Sequence, residues 1–243
     1  MEWTDEAIIL GVRRHGESST IVELMTAAHG RHLGLVRGGA SRRVTPILQP
    51  GNGVRAVWRA RLHEHLGNYA IEGTALRADK LMASAAASYG MQTLAALLRL
   101  VPERDPHADL YHALDLVVGH LHEPALAAPL IVRFELQLLR ELGFGLNLAS
   151  CAATGEAGDL VYVSPKSGRA VSRGAGEPWK DQLLALPAFL NGNGADASGD
   201  DIASGFALTG FFLERRVFEP RGLALPEARA AFLATIARVT AAA

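Results

Sequence analysis

Residues Leu24 to His63 read LMTAAHGRHLGLVRGGASRRVTPILQPGNGVRAVWRARLH, and this stretch fixes both the strand pattern and the charge pattern of the chain. It contains no Asp or Glu, although the 243-residue chain as a whole has 24 basic and 25 acidic residues. A run of cations without carboxylates repels itself, so it predicts an anionic partner, most commonly a phosphate backbone. The alternative is a solvated face whose arginines pair with acids elsewhere in the fold. The seven arginines of the stretch are Arg31, Arg37, Arg42, Arg43, Arg55, Arg59 and Arg61.

Alternation of apolar and polar residues marks strands inside this stretch and on both sides of it. Such alternation at period two places one set of side chains in a core and the other in water. In Arg31 to Arg37 it predicts that Leu33 and Leu35 point inward and that Arg31 and Arg37 point outward. The predicted strands are Ala7 to Val12, Thr20 to Thr26, Arg31 to Arg37, Gly53 to Arg59 and Asn68 to Thr74.

Short antiparallel strands of this number suit a small Greek-key barrel, of which the OB-fold is the best-known member. An SH3-like barrel has a similar strand count. Outward arginines on a barrel form the kind of groove that tracks a nucleic-acid backbone. An OB-type module that binds RNA fits the same charge pattern, since both polymers present phosphates.

The composition changes from strand formers to Ala and Leu near Asp79. Apolar spacing and capping residues predict helices from there on, with Asp201 as the cap of one of them after a loop from Asn191. The helices are predicted over Lys80 to Leu100, Pro106 to His122, Pro129 to Leu142, Ile202 to Val217 and Pro226 to Thr240. Gly145 to Gly176 instead predicts a β-hairpin.

The predicted fold class is therefore α+β. It comprises an OB-fold β-barrel over residues 1–78, a helical bundle over residues 79–145 and 177–243, and a small inserted β-hairpin region over residues 146–176.

The composition and the N-terminus limit where the protein acts. A single cysteine excludes an intramolecular disulfide and fits a reducing compartment. The first six residues are acidic and lack the order of a signal peptide. No uncharged apolar run reaches the ~18 residues that a membrane helix needs. We therefore expect a cytoplasmic protein that does not engage a membrane.

Familiar catalytic motifs are missing from the sequence: there is no Walker A lysine, no G-x-G-x-x-G, no G-x-S-x-G and no H-E-x-x-H. We expect no catalytic residue, no cofactor and no enzymatic activity. His63-Glu64-His65 would place two imidazoles on one face of a strand. The enzyme alternative is accordingly a hydrolase that uses His63, His65 and an acid.

Glu6 to Arg43 resembles the N-terminal barrel of the RecO family of bacterial recombination mediators. The similarity lies in the GESS turn (Gly16 to Ser19), in the Thr26…His29-Gly30 hairpin and in VRGGASRR (Val36 to Arg43). Later stretches are also similar to this family, and the resemblance runs from about residue 2 to residue 240 in one order. These stretches are RFELQLLRELGFGLNL (Arg133 to Leu148), the run Cys151 to Gly155, and YVSPKSGRAVS (Tyr162 to Ser172).

The resemblance implies a DNA-binding recombination mediator that anneals strands and helps to load RecA onto single strands coated by single-stranded-DNA-binding protein. The implied partners are single- and double-stranded DNA, the C-terminal tail of that coating protein, and RecR, at the nucleoid. Arg133 lies in the matching RFEL stretch and is the candidate for the tail. A non-catalytic docking scaffold is a further alternative. Our candidates for phosphate contacts are Arg13, Arg14, Arg31, Arg37, Arg42, Arg43, Arg55, Arg59 and Arg61.

Many members of this family carry a four-cysteine zinc site where this chain has Gly145 to Gly176. This sequence departs from that pattern, because it has one cysteine and no histidine after His122. A structural zinc site needs about four nitrogen or sulfur ligands. We therefore predict no metal, and we expect Cys151 to be a small buried residue.

Overall fold

The computed structural model describes residues 1–191 and 197–241. The chain divides into two compact units, the first from Met1 to His122 and the second from Glu123 onward. Residues 192–196, in the predicted loop from Asn191 to Asp201, lie outside the described ranges.

The first unit begins with a closed five-stranded barrel whose strands are joined in the order β1-β2-β3-β5-β4. Neighbouring strands pair antiparallel, except β3 and β5, which meet in parallel where Leu35 is opposite Asn68. This arrangement confirms the predicted OB-fold barrel followed by helices. The strands are β1 (Glu2–His15), β2 (Ser19–Thr26), β3 (Gly30–Val36), β4 (Gly53–Arg59) and β5 (Asn68–Ala75).

The inward orientation predicted for Leu33 and Leu35 of β3 is wrong, whereas Arg37 is exposed as predicted. Positions 31, 33, 35 and 37 are two residues apart, so they lie on one face of the strand, and that is the face away from the core. The inward positions of β3 are His32, Gly34 and Val36, and only the last of these has an aliphatic side chain. Position 34 requires glycine because the Tyr69 ring fills the space beside it: a Cβ there would lie 2.4 Å from that ring. The inward face therefore looks polar in the sequence, whereas Leu33 is on the opposite face.

Three helices follow the barrel in the first unit: α1 (Ala78–Met82), α2 (Ala85–Leu98) and α3 (Ala108–His120). The single helix predicted from Lys80 to Leu100 is thus two helices. Ser84 separates them, because its backbone is extended and its side chain accepts a hydrogen bond from the Ala87 amide (3.3 Å). Such a side-chain cap starts a new helix.

Asn52 joins the barrel to α1. Its Oδ1 accepts hydrogen bonds from the backbone amides of Arg77 (2.8 Å) and Ala78 (2.9 Å). Its Nδ2 donates to the carbonyl oxygens of Pro46 (3.1 Å) and Ile47 (2.9 Å). The side chain is fully buried, so these bonds satisfy an amide that would otherwise be costly to bury.

The second unit combines helices with a small sheet. The predicted hairpin exists as β6 and β7, and β8 pairs with the other edge of β6 to give a three-stranded sheet. The first helix of this unit begins at Pro124, before the predicted Pro129. The α-helices and strands described in this unit are α4 (Pro124–Glu141), β6 (Leu160–Val163), β7 (Ala170–Ser172), α5 (Arg173–Gly176), β8 (Leu184–Ala185), α6 (Gly199–Leu213) and α7 (Glu227–Ala241).

A buried ion pair connects the three long helices of the second unit. Glu135 of α4 accepts hydrogen bonds from Nε (2.7 Å) and Nη2 (3.0 Å) of Arg229 in α7, and another from the Thr209 hydroxyl in α6. Both charged side chains are almost completely enclosed. Removal of either partner would leave the other charge buried without compensation, which strongly destabilises a fold.

Candidate nucleic-acid interface

Three connections between strands meet at one end of the barrel. The backbone amide of Ala40 donates to the Ser18 carbonyl (3.1 Å), which joins the β3–β4 connection to the β1–β2 turn. Nε of Arg37 donates to Oδ1 of Asn68 (3.2 Å), which joins the same connection to the start of β5. We call residues 13–18, 37–45 and 60–68 the loop end of the barrel.

Exposed arginines concentrate at the loop end. The two bonds that hold them locally are to uncharged groups: Arg14 donates to the Glu17 carbonyl (3.3 Å), and Arg37 donates to the Asn68 amide. The ion pairs found among residues 1–191 and 197–241 involve none of these arginines. Their charges are therefore directed to solvent. They are Arg13, Arg14, Arg37, Arg42, Arg43 and Arg61.

Two further candidates on β4 face carboxylates. Arg59 donates to Oε1 of Glu2 at 2.8 Å, and this hydrogen bond lowers the pKa of Glu2. Both side chains are exposed, and exposed pairs contribute little, so Arg59 can exchange its partner for a phosphate. Arg55 is also exposed, and it stands opposite Glu6 of β1 and Glu72 of β5 in the strand register. These two acids are its cross-strand neighbours, although no ion pair between either of them and Arg55 forms among the described residues.

Arg31 differs from the other candidates because it takes part in an internal network. Its Nη1 lies 3.0 Å from Oε1 of Glu23 and 3.4 Å from Oε1 of Glu103, and only 11% of its side chain is exposed. Arg99 binds the same Glu23 carboxylate, at 2.7 Å from Nη2 and 3.0 Å from Nε. We call these four residues the Glu23 network. Arg31 thus follows the alternative reading, in which an arginine pairs with acids elsewhere in the fold.

The Glu23 network also limits which surface of the barrel is accessible to a nucleic acid. OB-folds commonly bind nucleic acid on the face of strands 2 and 3 and on the adjoining loops. Here Glu23 on β2 and Arg31 on β3 bind Arg99 and Glu103, so the segment after α2 covers part of that face. The arginines of the loop end stay exposed.

The histidines of the first unit have separate roles. His63 and His65 lie in the loop between β4 and β5, so the prediction that they share one face of a strand is wrong. His32 is buried inside the barrel, and burial together with the charge of Arg104 lowers its pKa to about 4. His29 stacks on Trp3, with ring centroids 4.1 Å apart, and lies 3.0 Å from Asp5. Within the described ranges, no group of three or more His, Cys, Asp or Glu side chains could hold a metal.

Arg133 lies on α4 with its side chain exposed. Its Nη2 donates to the Phe189 carbonyl at 2.6 Å, and its guanidinium carbon is 5.9 Å from the centre of the Phe189 ring. The backbone contact fixes the direction of the guanidinium, and its remaining N–H groups can still meet an acceptor. This geometry suits the recognition of a carboxylate.

Cys151 does not form part of a zinc site. Its side chain is completely buried, and its Sγ accepts a hydrogen bond from the Ser172 amide (3.3 Å) and lies 3.4 Å from the Ser172 hydroxyl. No other cysteine exists in the chain, and no histidine follows His122. The residues present therefore do not fit a structural zinc ion, which needs about four nitrogen or sulfur ligands. The Cys151 sulfur instead accepts a hydrogen bond from the Ser172 amide.

None of the helices within residues 1–191 and 197–241 combines the length and the apolar character that a membrane crossing requires.

The sequence matches two family models in succession. Residues 1–74 match the model described as "Recombination protein O N terminal", and residues 80–223 match "Recombination protein O C terminal". Three relatives named "DNA repair protein RecO" are similar over nearly their whole length. The protein from Methylobacterium nodulans is 60% identical, over 96% of this chain and 97% of its own. That from Chelativorans is 61% identical (98% and 96%), and that from Rhodopseudomonas palustris is 59% identical (98% and 97%).

Proposed function

Since this chain belongs to the RecO family of DNA repair proteins, we propose that it is a recombination mediator whose barrel binds DNA at the loop end. The observation that carries this proposal is the group of exposed loop-end arginines, none of which pairs with a carboxylate among the residues that the structure describes. Arginines neutralise phosphates and release their counterions, so two complementary strands can approach each other with less repulsion. The protein would anneal strands in this way without making or breaking a bond.

The proposed set of DNA-contacting arginines is smaller than the set of candidates predicted from the sequence. It includes Arg13, Arg14, Arg37, Arg42, Arg43, Arg59 and Arg61, which are exposed. We leave out Arg31, whose side chain is enclosed by the Glu23 network, and we rank Arg55 last because of its two facing carboxylates. The segment from Arg37 to Arg43 contributes most, because its glycines permit close approach of the backbone to a phosphate.

The remaining steps follow from membership of the family. We propose that the protein acts in the cytoplasm, at the nucleoid, and helps RecA to replace single-stranded-DNA-binding protein, together with RecR. The acidic tail of the coating protein would reach Arg133, whose guanidinium is exposed and held in place by the Phe189 carbonyl. Charge complementarity between that tail and an arginine supports this contact.

DNA binding can be measured by fluorescence anisotropy of a labelled single strand across a salt series. Log affinity should fall linearly with log salt if phosphates are contacted. Changing Arg37, Arg42 and Arg43 to Glu should weaken binding and reduce the slope by about 2, because each lost phosphate contact removes about 0.7. A control with Arg215, Arg221 and Arg238 changed to Glu, all exposed in the second unit, should keep the slope of the wild type.

The outcome separates the alternatives. Absence of binding to DNA at low salt would contradict the proposal and favour a docking scaffold. Tighter binding to a matched RNA strand than to DNA would favour an RNA-binding module. If the protein is a recombination mediator, the variant with Arg37, Arg42 and Arg43 changed to Glu should also anneal complementary strands more slowly than the control variant does.

A further inference from the structure

The loop between β4 and β5 presents an unusual run of exposed side chains. Each side chain from Arg61 to Leu66 is exposed, and the two leucines of the run are 51% (Leu62) and 38% (Leu66) accessible. Single exposed leucines are ordinary on protein surfaces. Here two of them lie in one short loop, together with His63 and His65.

The backbone of this loop is fixed from inside the first unit. The guanidinium of Arg104 donates to the carbonyls of His63 and His65, the latter at 2.9 Å from Nη2. The indole Nε1 of Trp58, which is buried, donates to the Leu66 carbonyl at 3.0 Å. These bonds hold the backbone from His63 to Leu66 with its side chains outward, and the His65 amide ties Leu62 to the same segment through the Leu62 carbonyl (3.3 Å).

The end of the loop is fixed as well. The amide of Leu35 donates to the Gly67 carbonyl (3.0 Å), and Gly67 has a φ of +67°. A Cβ at Gly67 would lie 2.2 Å from the indole nitrogen of Trp58, so only glycine allows this approach. The leucines are thus displayed by a loop that is already ordered, and ordering it on binding would cost little entropy.

Cations flank the segment that carries the two leucines. Arg61 belongs to the loop, Arg59 ends the preceding strand, and Arg37 binds Asn68 just after the loop. Glu64 is the only acid between Arg59 and Asn68 in the sequence. Exposed apolar side chains beside guanidinium groups complement an unpaired nucleic-acid strand, which offers flat apolar base faces attached to phosphates.

We propose that Leu62 and Leu66 contact the faces of unpaired bases while the neighbouring arginines hold the phosphates. Leucine is among the apolar side chains that contact base faces in duplex complexes, where it has to insert between base steps and unstack them at a cost. An unpaired strand offers its base faces without that unstacking cost, so this contact would favour single strands over duplexes. The inference rests on the proposed function and adds a specificity determinant to it.

The test compares two single strands of equal length, one with bases and one composed of abasic nucleotides. They carry the same phosphates and differ only in the groups that the leucines would contact. Wild-type protein should bind the strand with bases about fivefold more tightly at equal salt. Changing both Leu62 and Leu66 to Ala should remove this preference while the salt slope of the affinity stays unchanged, because no charge is altered.

Two further variants make the result specific. Leu76→Ala removes another exposed leucine, just after β5, and should keep the full preference for bases. Arg104→Ala removes the bonds to the loop carbonyls and should reduce the preference, since Arg104 positions the leucines. Equal affinity of the wild type for both strands, or a preference that survives in the double leucine variant, would overturn the inference. If the protein binds both strands equally and with a steep salt slope, the inference about the leucines fails but the proposed DNA-binding function stands. If it binds neither strand, the inference and the proposed function both fail.

Discussion

At the scale of single residues, His32 shows what the interior of the barrel imposes on a titratable group. Its Nδ1 lies 2.9 Å from the Leu33 carbonyl oxygen and 2.9 Å from the Tyr69 hydroxyl, and its ring meets Trp58 edge-on at 5.1 Å. Burial first, and then the charge of Arg104, lowers the pKa to about 4. The folded state therefore holds this imidazole in its neutral form.

This pKa makes the stability of the protein depend on pH. An unfolded histidine has a pKa of about 6.5, so the unfolded state binds more protons between that value and the folded pKa. The contribution of His32 to the free energy of unfolding is complete above about pH 6.5 and is lost as the pH falls toward about 4. We predict that the stability difference between wild type and His32→Gln, measured by urea unfolding, shrinks from about pH 7.5 to about pH 5. A difference that is constant over this range would contradict the assignment.

Arg31 and Arg43 provide a second test at this scale. Arg31→Ala leaves Glu23, which is 12% exposed, with one cation fewer, and should lower the free energy of unfolding by about 2 kcal/mol. The salt slope of DNA binding should not change. Arg43→Ala should do the reverse: unfolding stays within about 0.5 kcal/mol of wild type, and the slope falls by about 0.7. Urea unfolding and anisotropy on the same samples distinguish the two, and a reduced slope in Arg31→Ala would contradict its exclusion from the contact set.

The difference between these arginines could not be read from the sequence. The cationic stretch between Leu24 and His63 was evident, and the structure does expose most of its arginines. However, Glu103 is 72 positions from Arg31, and no local pattern indicates that they meet. The two exposed leucines were also missed, because alternation rules describe strands and give no expectation for a loop whose backbone is held by Arg104 and Trp58.

At the scale of elements, the repeating apolar patterns of the sequence predict the strands and long helices, whereas the single residues at which a helix starts or stops are not evident from those patterns. The barrel strands follow from alternation, and the long helices follow from apolar spacing. The break between α1 and α2 depends on the one residue Ser84, whose side chain caps the second helix. Likewise α6 begins at Gly199, because Ser198 is its cap and Asp201 completes a reciprocal capping box.

The capping box of α6 predicts the effect of a small substitution. Ser198→Ala removes the acceptor for the Asp201 amide, which lies 3.1 Å from the serine hydroxyl. We expect a loss of about 1 kcal/mol in the free energy of unfolding, the usual value for such a cap. Ser204→Ala, inside the same helix, is the matched control and should be neutral or slightly stabilising. Equal effects of the two changes in urea unfolding would argue against the cap.

At the scale of the whole molecule, the region from Gly145 to Gly176, whose residues do not fit a zinc site, should hold its structure without metal. Cys151 bonds to Ser172, and the three-stranded sheet around it is made of backbone hydrogen bonds and buried apolar side chains. A structural zinc site contributes folding energy directly, so chelators unfold proteins that depend on one. We predict that excess EDTA leaves the thermal unfolding midpoint of this protein unchanged. A fall of about 5 °C or more, reversed by zinc, would contradict this prediction.

Because of the Glu23 network, the barrel is not a module that can be inherited without the segment after α2. Arg99 and Glu103 belong to the segment after α2, yet they neutralise Glu23 and Arg31 on the barrel strands. A barrel transplanted into another protein without that segment would carry Glu23 and Arg31 with one partner each removed. The smallest piece that could be exchanged between genes without this penalty therefore extends past residue 103. The barrel therefore has to be inherited together with α1, α2 and the segment that follows them.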